Sequence, residues 1–268
     1  MVRQPARVAR AFPPLALGLV VLSWITLVVW DASPYGRFLN HGDWTTIGIG
    51  AAMCARVPGG SWLVPGLLYG GGWLLMSAAM MLPTSLPLIR TFDRMIAGWP
   101  NRAALHALLI AGYLIAWGGF GIVAHGLDAM LHTLVSGSAW LVMHAWLPGI
   151  AVLAVAGVFQ FSRLKYHCLD ACRSPFSFIA SHWHGPRPYR EALCLGLAHG
   201  VYCVGCCWAL MLLMFLVGSG SVGWMLVLGL IMAIEKNHAW GRHLAMPLGT
   251  TLLAVAALIG IAHLIPLV

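Results

Sequence analysis

Long apolar stretches recur along the chain and are separated by short polar segments. Each stretch is close to the length of about 20 apolar residues that a helix needs to cross a hydrocarbon core about 30 Å thick. The pattern therefore predicts an all-α, polytopic transmembrane bundle of about seven spans, with six to eight as the range. We place the spans at about 12–30, 62–82, 103–123, 138–160, 191–217, 222–236 and 244–264.

Three segments are open to more than one interpretation. The sixth span, 222–236, is short, and the glycines and serines before it are typical of a turn or a helix break. Segment 44–57 is too short and polar to span, so we interpret it as an interfacial or re-entrant helix. The basic N-terminus resembles a signal peptide, but no small-residue cleavage site follows, so we take it as a retained first span. We interpret residues 1–268 as one integral membrane domain with a cytoplasmic loop at about 161–190.

Composition and charge agree with a membrane protein and predict its orientation. The chain is 60% hydrophobic and 8% charged, whereas soluble domains are about 25% charged. All but Arg37 and Arg56 of the 15 Lys and Arg residues fall in alternate loops, and such positive loops stay in the cytoplasm. We therefore expect a cytoplasmic N-terminus and an outer C-terminus in a bacterial inner membrane. The sequence offers no basic soluble surface for nucleic acid and no G-x4-G-K-[ST] segment for a nucleotide.

The fifth span carries the softest ligands of this chain of 7 cysteines. At about 100° per residue, its ligand residues share one arc of roughly 100°, and Cys194 points the other way. These residues are His199, Cys203, Cys206, Cys207 and Met214. Thiolate, thioether and imidazole together suit a soft ion, with Cu(I) first and zinc as the alternative. Glycines at 196, 200 and 205 are small enough to let a neighbouring helix approach closely.

One helix cannot surround an ion, so other spans must supply ligands. In the second span, the segment MSAAMMLP ends in Pro83, which should bend the helix and free a backbone carbonyl. The candidate ligands from the second and sixth spans are Met76, Met80, Met81, Met225, Met232 and Glu235. The alternative is a packing role, because free cysteine is a small buried hydrophobe and methionine fills gaps in cores.

The cytoplasmic loop contains a second pair of thiols. Cys168 and Cys172 are four residues apart, so they lie one above the other on a helix. Their basic neighbours Arg163, Lys165 and Arg173 favour thiolates, and three histidines follow or precede them closely at 167, 182 and 184. We predict an uptake or relay site for a metal. The alternative is a basic interfacial helix whose cysteines pack against lipid or the bundle.

A secondary candidate site lies on the predicted outer side. His125, Asp128 and His132 share one helical face, and His144 follows in the next span. Two histidines and a carboxylate can bind copper, zinc or iron. The alternative is an ordinary amphipathic helix in the outer loop.

Five sequence elements resemble a known family. They are MSAAMMLP, GYLIAWGGF, LKYHCLDACRSP, GLAHGVYCVGCCWALM and IEKNHAWG, which run from about residue 70 to 242. The family is that of the bacterial predicted metal-binding integral membrane proteins, a domain of unknown function, and CLDACRSP together with HGVYCVGCCWALM is its specific pair. The resemblance implies a multi-helix inner-membrane protein, and it indicates neither a substrate nor a reaction.

These observations favour a metal-handling membrane protein. Cu(I), or zinc as the alternative, would bind within the bundle and be relayed, or the protein would serve a partner complex as an accessory subunit. A second hypothesis is an oxidoreductase or monooxygenase subunit that uses the outer cluster, and a third is a structural membrane subunit without metal. A thiol-rich closed site implies storage or relay, whereas an open nitrogen–oxygen site implies chemistry.

The charge distribution generates a prediction about topology. A reporter fused after Val268 should behave as periplasmic, because the basic loops hold the N-terminus inside and seven spans place the C-terminus outside. The measurement is the activity of a reporter that works on only one side of the membrane. A cytoplasmic result would mean that the span 222–236 or the segment 44–57 has been misassigned.

Overall fold

The structure, a computed structural model, describes residues 14–33, 63–144, 146–217 and 221–265, with the side chains of residues 63–69, 132 and 217 excepted. In these ranges all regular structure is helical, which confirms the predicted helical class. The helices are α1 Pro14–Asp31, α2 Leu63–Met81, α3 Leu86–Met95, α4 Arg102–Ser136, α5 Ala139–Met143, α6 Trp146–Phe159, α7 Arg163–Arg173, α8 Pro175–His182, α9 Pro188–Leu212, α10 Met214–Val217, α11 Val222–Asn237 and α12 Ala245–Leu264. Short 3-10 turns occupy Pro83–Ser85 and Gly241–Leu244.

Among the described residues, four helices are candidates for crossing a membrane, or up to six segments if each of two bent pairs is one span. Four are long and apolar enough as single helices: Pro14–Asp31, Arg102–Ser136, Pro188–Leu216 and Gly241–Leu264. Two are bent pairs, namely Gly70–Met81 with Pro83–Met95 at 41° and Trp146–Phe159 with Arg163–Arg173 at 62°. Helix α11, with 16 residues, is not among them. The count of seven and the orientation stay predictions, and segment 44–57 lies outside the described residues.

Two predicted spans have different boundaries in the structure. Helix α4 continues past residue 123 to Ser136, so the segment that we expected as an outer-loop helix is a continuation of the third span. No proline interrupts it before Gly137, whose N–H still bonds to Thr133 O at 3.0 Å. The predicted span 138–160 is instead divided into α5 and α6, since the chain turns at His144, ahead of Pro148.

Pro83 ends α2, and backbone oxygens just before it accept hydrogen bonds from side chains of α1 and α4. A proline has no N–H to donate to the carbonyl four residues earlier, and Ala79 O instead accepts a hydrogen bond from Trp24 Nε1 of α1 at 3.2 Å. Met81 O accepts from Thr84 Oγ1 at 2.7 Å and from Tyr113 OH of α4 at 3.1 Å. The predicted bend and the free carbonyl are therefore confirmed.

Helices α4 and α9 approach until their backbones touch. A Cβ on Gly112 would lie 2.2 Å from Leu193 O, and a Cβ on Gly196 would lie 2.0 Å from Leu109 O. Both distances are far below van der Waals contact with backbone that cannot move aside, so glycine is required at both positions. The predicted close approach at Gly196 is confirmed.

A buried ion pair joins α7 to α11. Lys165 is fully buried, and its Nζ donates to both carboxylate oxygens of Glu235 at 2.9 Å and to Gln160 Oε1. Arg173 donates to the backbone oxygen of Glu235 and, at 3.1 Å, to Ala239 O. A charge removed from water needs such a partner, because leaving one member unpaired is strongly destabilising.

The glycine contact predicts a sharp difference between two substitutions on one helix. Gly112→Ala should destabilise the protein by about 1–3 kcal/mol, because the new methyl group forces the two backbones apart. Gly119→Ala is the matched control, since a Cβ there meets nothing within 4 Å. The midpoint of thermal unfolding in detergent measures both. Equal midpoints for the two variants would contradict the close α4–α9 contact.

The ion pair predicts that a double substitution is better tolerated than a single one. Lys165→Met should cost about 3–5 kcal/mol, since it leaves Glu235 buried and unpaired. Adding Glu235→Leu should recover most of that loss, because both charges are then gone. The unfolding midpoints of the two variants decide the matter: a double variant that is no more stable than Lys165→Met would show that charge pairing is not what holds α7 against α11.

Candidate metal-binding site

The predicted ligand face of α9 is directed into the protein. His199, Cys203, Cys206 and Cys207 are buried, while Cys194 on the same helix is exposed. The helix begins with proline at one of its first positions and continues without another proline to Leu212, so one straight segment presents the whole set on a single face. Met214 of α10 is also buried.

A methionine from α2 reaches this face. The thiol of Cys207 lies 3.8 Å from the thioether sulfur of Met81, next to the break at Pro83. The thiols of Cys206 and Cys207 both point back to the carbonyl oxygen of Cys203, at 3.1 Å and 2.8 Å. The expected approach of a second-span methionine to the cysteine face is thus observed.

The two cysteines of the predicted cytoplasmic loop lie next to the cysteines of α9, and we call the five residues Cys168, Cys172, Cys203, Cys206 and Cys207 the thiol cluster. Cys168 and Cys172 lie on α7, four residues apart as expected, but they are only 6% and 8% exposed. The side chains of Cys172 and Cys206 interact with each other, and a Cβ on Gly205 would lie 2.6 Å from Cys168 Sγ. The 62° bend between α6 and α7 allows this packing, so five thiols that we expected at two places lie together.

Two polar residues that were not selected from the sequence, Lys236 and Tyr113, contact Cys203. Lys236 Nζ donates to Cys203 Sγ at 2.8 Å and to Thr84 Oγ1 at 3.2 Å. Tyr113 OH lies 2.9 Å from Cys203 Sγ. We had counted Lys236 as a loop charge, yet it is buried. The available signal was its position at the end of an apolar helix, where buried ionisable residues usually have a function.

His199 lies at the edge of the cluster. Its Nε2 shares a hydrogen bond of 3.2 Å with Ser85 Oγ, and its ring stacks on Tyr113 with centroids 5.8 Å apart. The other ring nitrogen, Nδ1, is buried without a hydrogen-bonding partner. A buried polar atom in that state costs about 1–3 kcal/mol, so His199 retains a free ligand atom.

The remaining candidate ligands on α2 and α11 differ in whether another residue already binds their donor atoms. Glu235 was expected as a ligand, but its carboxylate is bound by Lys165 in the ion pair described above. The methionine candidates are all buried, namely Met76, Met80, Met225 and Met232. They remain available as soft donors, whereas Glu235 is available only if it leaves Lys165.

Two of the outer candidates contact neighbouring residues in the structure. The ring of His125 packs against Trp73 and Phe215, with centroids 5.7 and 5.4 Å apart. His144 Nδ1 lies 2.8 Å from Trp140 O, so it bonds within its own turn. Asp128 is half-buried, and the side chain of His132 lies outside the described part.

In the described ranges, no group of three or more His, Cys, Asp and Glu side chains is arranged to hold a metal ion. A thiol and a thioether, those of Cys207 and Met81, lie 3.8 Å apart, and this combination of donors suits Cu(I).

A comparison with protein families gives independent information about the chain. The profile of the PpoB2 copper chaperone family matches residues 70–259, which include the second half of α2, the thiol cluster and most of α12. No curated protein and no solved structure has significant similarity to the chain. The match agrees with the metal-related family that the motifs indicated, and the description of the matched family names copper as the metal. Because the profile covers most of the chain, this protein belongs to the PpoB2 copper chaperone family.

Proposed function

We propose that the protein is a membrane-bound copper chaperone that holds Cu(I) as its cargo between α2 and α9. The observation that carries the proposal is the contact between Cys207 Sγ and Met81 Sδ at 3.8 Å, within a buried cluster of five thiols. Thiolate and thioether are the donors that select Cu(I) among the first-row metals. Membership of a copper chaperone family supports the same metal.

The cluster supplies ligands of graded strength. Cys207 and Met81 form the first pair, and Cys203 and Cys206 lie within one turn of Cys207. Cys172 of α7 interacts with Cys206. His199 adds the unpartnered Nδ1 atom at the edge. With several thiols in contact with one another, Cu(I) can exchange one sulfur for another without leaving the protein.

Lys236 places a positive charge beside Cys203, and Cu(I) bound to this sulfur would also place a positive charge there. Its ammonium lies 2.8 Å from Cys203 Sγ and balances negative charge on that sulfur in the absence of copper. Cu(I) carries the same single charge. When Cu(I) binds beside Cys203, the Lys236 ammonium releases a proton, so the net charge of the cluster stays the same. This matters because an uncompensated charge inside a bilayer is costly.

We propose that the cluster lies within the inner membrane of a bacterium. The support is the candidate spans of the described helices and the distribution of Lys and Arg among the loops. The N-terminus would then be cytoplasmic and seven spans would place the C-terminus outside. A copper chaperone delivers its ion to a partner protein. Because the ligands of this cluster are soft, that partner has to offer soft ligands as well.

The test is the copper content of purified protein after loading with Cu(I) and removal of excess ion. The Cys203→Ser and Cys207→Ser double variant should retain almost no copper, because serine keeps the volume but removes two soft ligands. Cys194→Ser is the matched control on the same helix, since Cys194 is exposed, and it should load like the unmodified protein. Full copper stoichiometry in the folded double variant would leave a structural membrane subunit as the better description.

A further inference from the structure

Seven buried methionines share the apolar core with the thiol cluster. We propose that they form a thioether path, along which Cu(I) moves between the Cys207–Met81 site and a surface pocket at the opposite end of α2 and α9. The inference rests on the proposed function, because the path leads to the site where the copper is held. The path residues are Met76, Met80, Met81, Met211, Met214, Met225 and Met232.

Burial separates the path residues from the other described methionines. All seven are at most 2% exposed, and they lie on α2, α9, α10 and α11 only. Four further methionines are 37–73% exposed and lie on other helices, namely Met95, Met130, Met143 and Met246. Methionine is therefore not spread evenly through the interior, but is concentrated on the helices that surround the sulfur of Cys207.

The spacing on α9 and α10 extends the ligand face away from the thiols. Met211 and Met214 follow Cys207 at four and seven residues, so the three sulfur-bearing side chains lie on one helical face. At 1.5 Å per residue, the step from Cys207 to Met214 covers about 10 Å along the axis. Each step is within reach of the flexible methionine side chain, which has three rotatable bonds.

Helices α2 and α11 supply the other walls of the path. Met76 and Met80 are one turn apart on α2, and Met225 and Met232 are two turns apart on one face of α11. The two helices meet at Gly229, where a Cβ would lie 3.7 Å from the side chain of Met80. The thioethers of α2 and α11 therefore face a shared interior rather than separate regions of the core.

The far end of the path meets a pocket. Phe215 follows Met214 directly, and its ring stacks on Trp73, with centroids 5.7 Å apart. Trp73 lies one turn before Met76 and lines a pocket of about 300 Å³ together with His125 and glycines of α2 and α4. Cu(I) at Met76 or Met214 is thus separated from this pocket by one layer of aromatic side chains.

Thioethers have the chemical properties that a path needs. They bind Cu(I) through a soft sulfur but carry no charge, so no negative charge is left behind in the protein when the ion moves on. Between thioethers, each step exchanges one sulfur ligand for another and the ion stays Cu(I), so no proton or electron is required. A proton is released only at the end of the path, when the thiol of Cys207 binds the ion. The thiolates at the end of the path bind more strongly, and this difference draws the ion towards Cys207.

The experiment compares two triple substitutions in the full-length protein reconstituted into vesicles. One variant carries Met211→Leu, Met214→Leu and Met225→Leu, and its control carries the same change at the exposed Met130, Met143 and Met246. Leucine nearly preserves the volume of methionine, so both variants should fold. Cu(I) is presented as its bathocuproine disulfonate complex, a charged chelate that does not cross the bilayer, first to one face and then to the other.

We expect the path variant to load copper at least about tenfold more slowly from one face, which corresponds to about 1.4 kcal/mol of barrier. Its rate from the other face, its final copper content and both rates of the control should be unchanged. Unchanged rates from both faces, equal slowing from both faces, or a reduced final copper content would each overturn the path. If the unmodified protein holds no copper at all, the proposed function itself fails, and this outcome is distinct from the others.

Discussion

The site depends first on the backbone contact between α4 and α9. Gly112 and Gly196 leave no side chain that could adjust the distance, so the two helices have one register in which they fit. Tyr113, the residue after Gly112, is thereby brought to Cys203, where its hydroxyl lies 2.9 Å from the sulfur. The same hydroxyl reaches Met81 O at the end of α2. A contact between backbones thus fixes the position of the thiols relative to the proline break and to Met81.

Charge balance is the second constraint on the interior. Lys165 and Glu235 neutralise each other between α7 and α11, and the neighbouring Lys236 turns to Cys203. Since the two lysines serve different partners, the end of α11 cannot shift without exposing one charge to an apolar environment, which costs several kcal/mol. The ion pair also holds α7 in place, and α7 carries Cys168 and Cys172. The position of five thiols therefore depends on charges that are not themselves ligands.

The sequence predicted the parts of this site that follow from local geometry. The face of α9, the i, i+4 spacing of Cys168 and Cys172, and the break at Pro83 each depend on one helix or one residue type, and all three are present in the structure. The contact between Cys172 and Cys206 depends on the 62° bend after α6, and no periodicity encodes the direction of a bend. Lys236 was assigned to a loop because the rule that places positively charged loops in the cytoplasm takes no account of burial. Tyr113 had no signal of its own, since its role comes from the glycine before it.

A chaperone must release its cargo as well as bind it, and the arrangement around Cys203 addresses release. Several thiolates around Cu(I) would hold it tightly, and its departure would leave negative charge in an apolar interior. The ammonium of Lys236 donates to Cys203 Sγ at 2.8 Å, so one charged donor is ready to stabilise that sulfur as the ion leaves. The free energy lost when a copper–sulfur bond breaks is thereby partly recovered inside the protein. In the proposed chaperone, the ligand that the site most easily gives up is the one with this donor, so transfer to a partner would begin at Cys203.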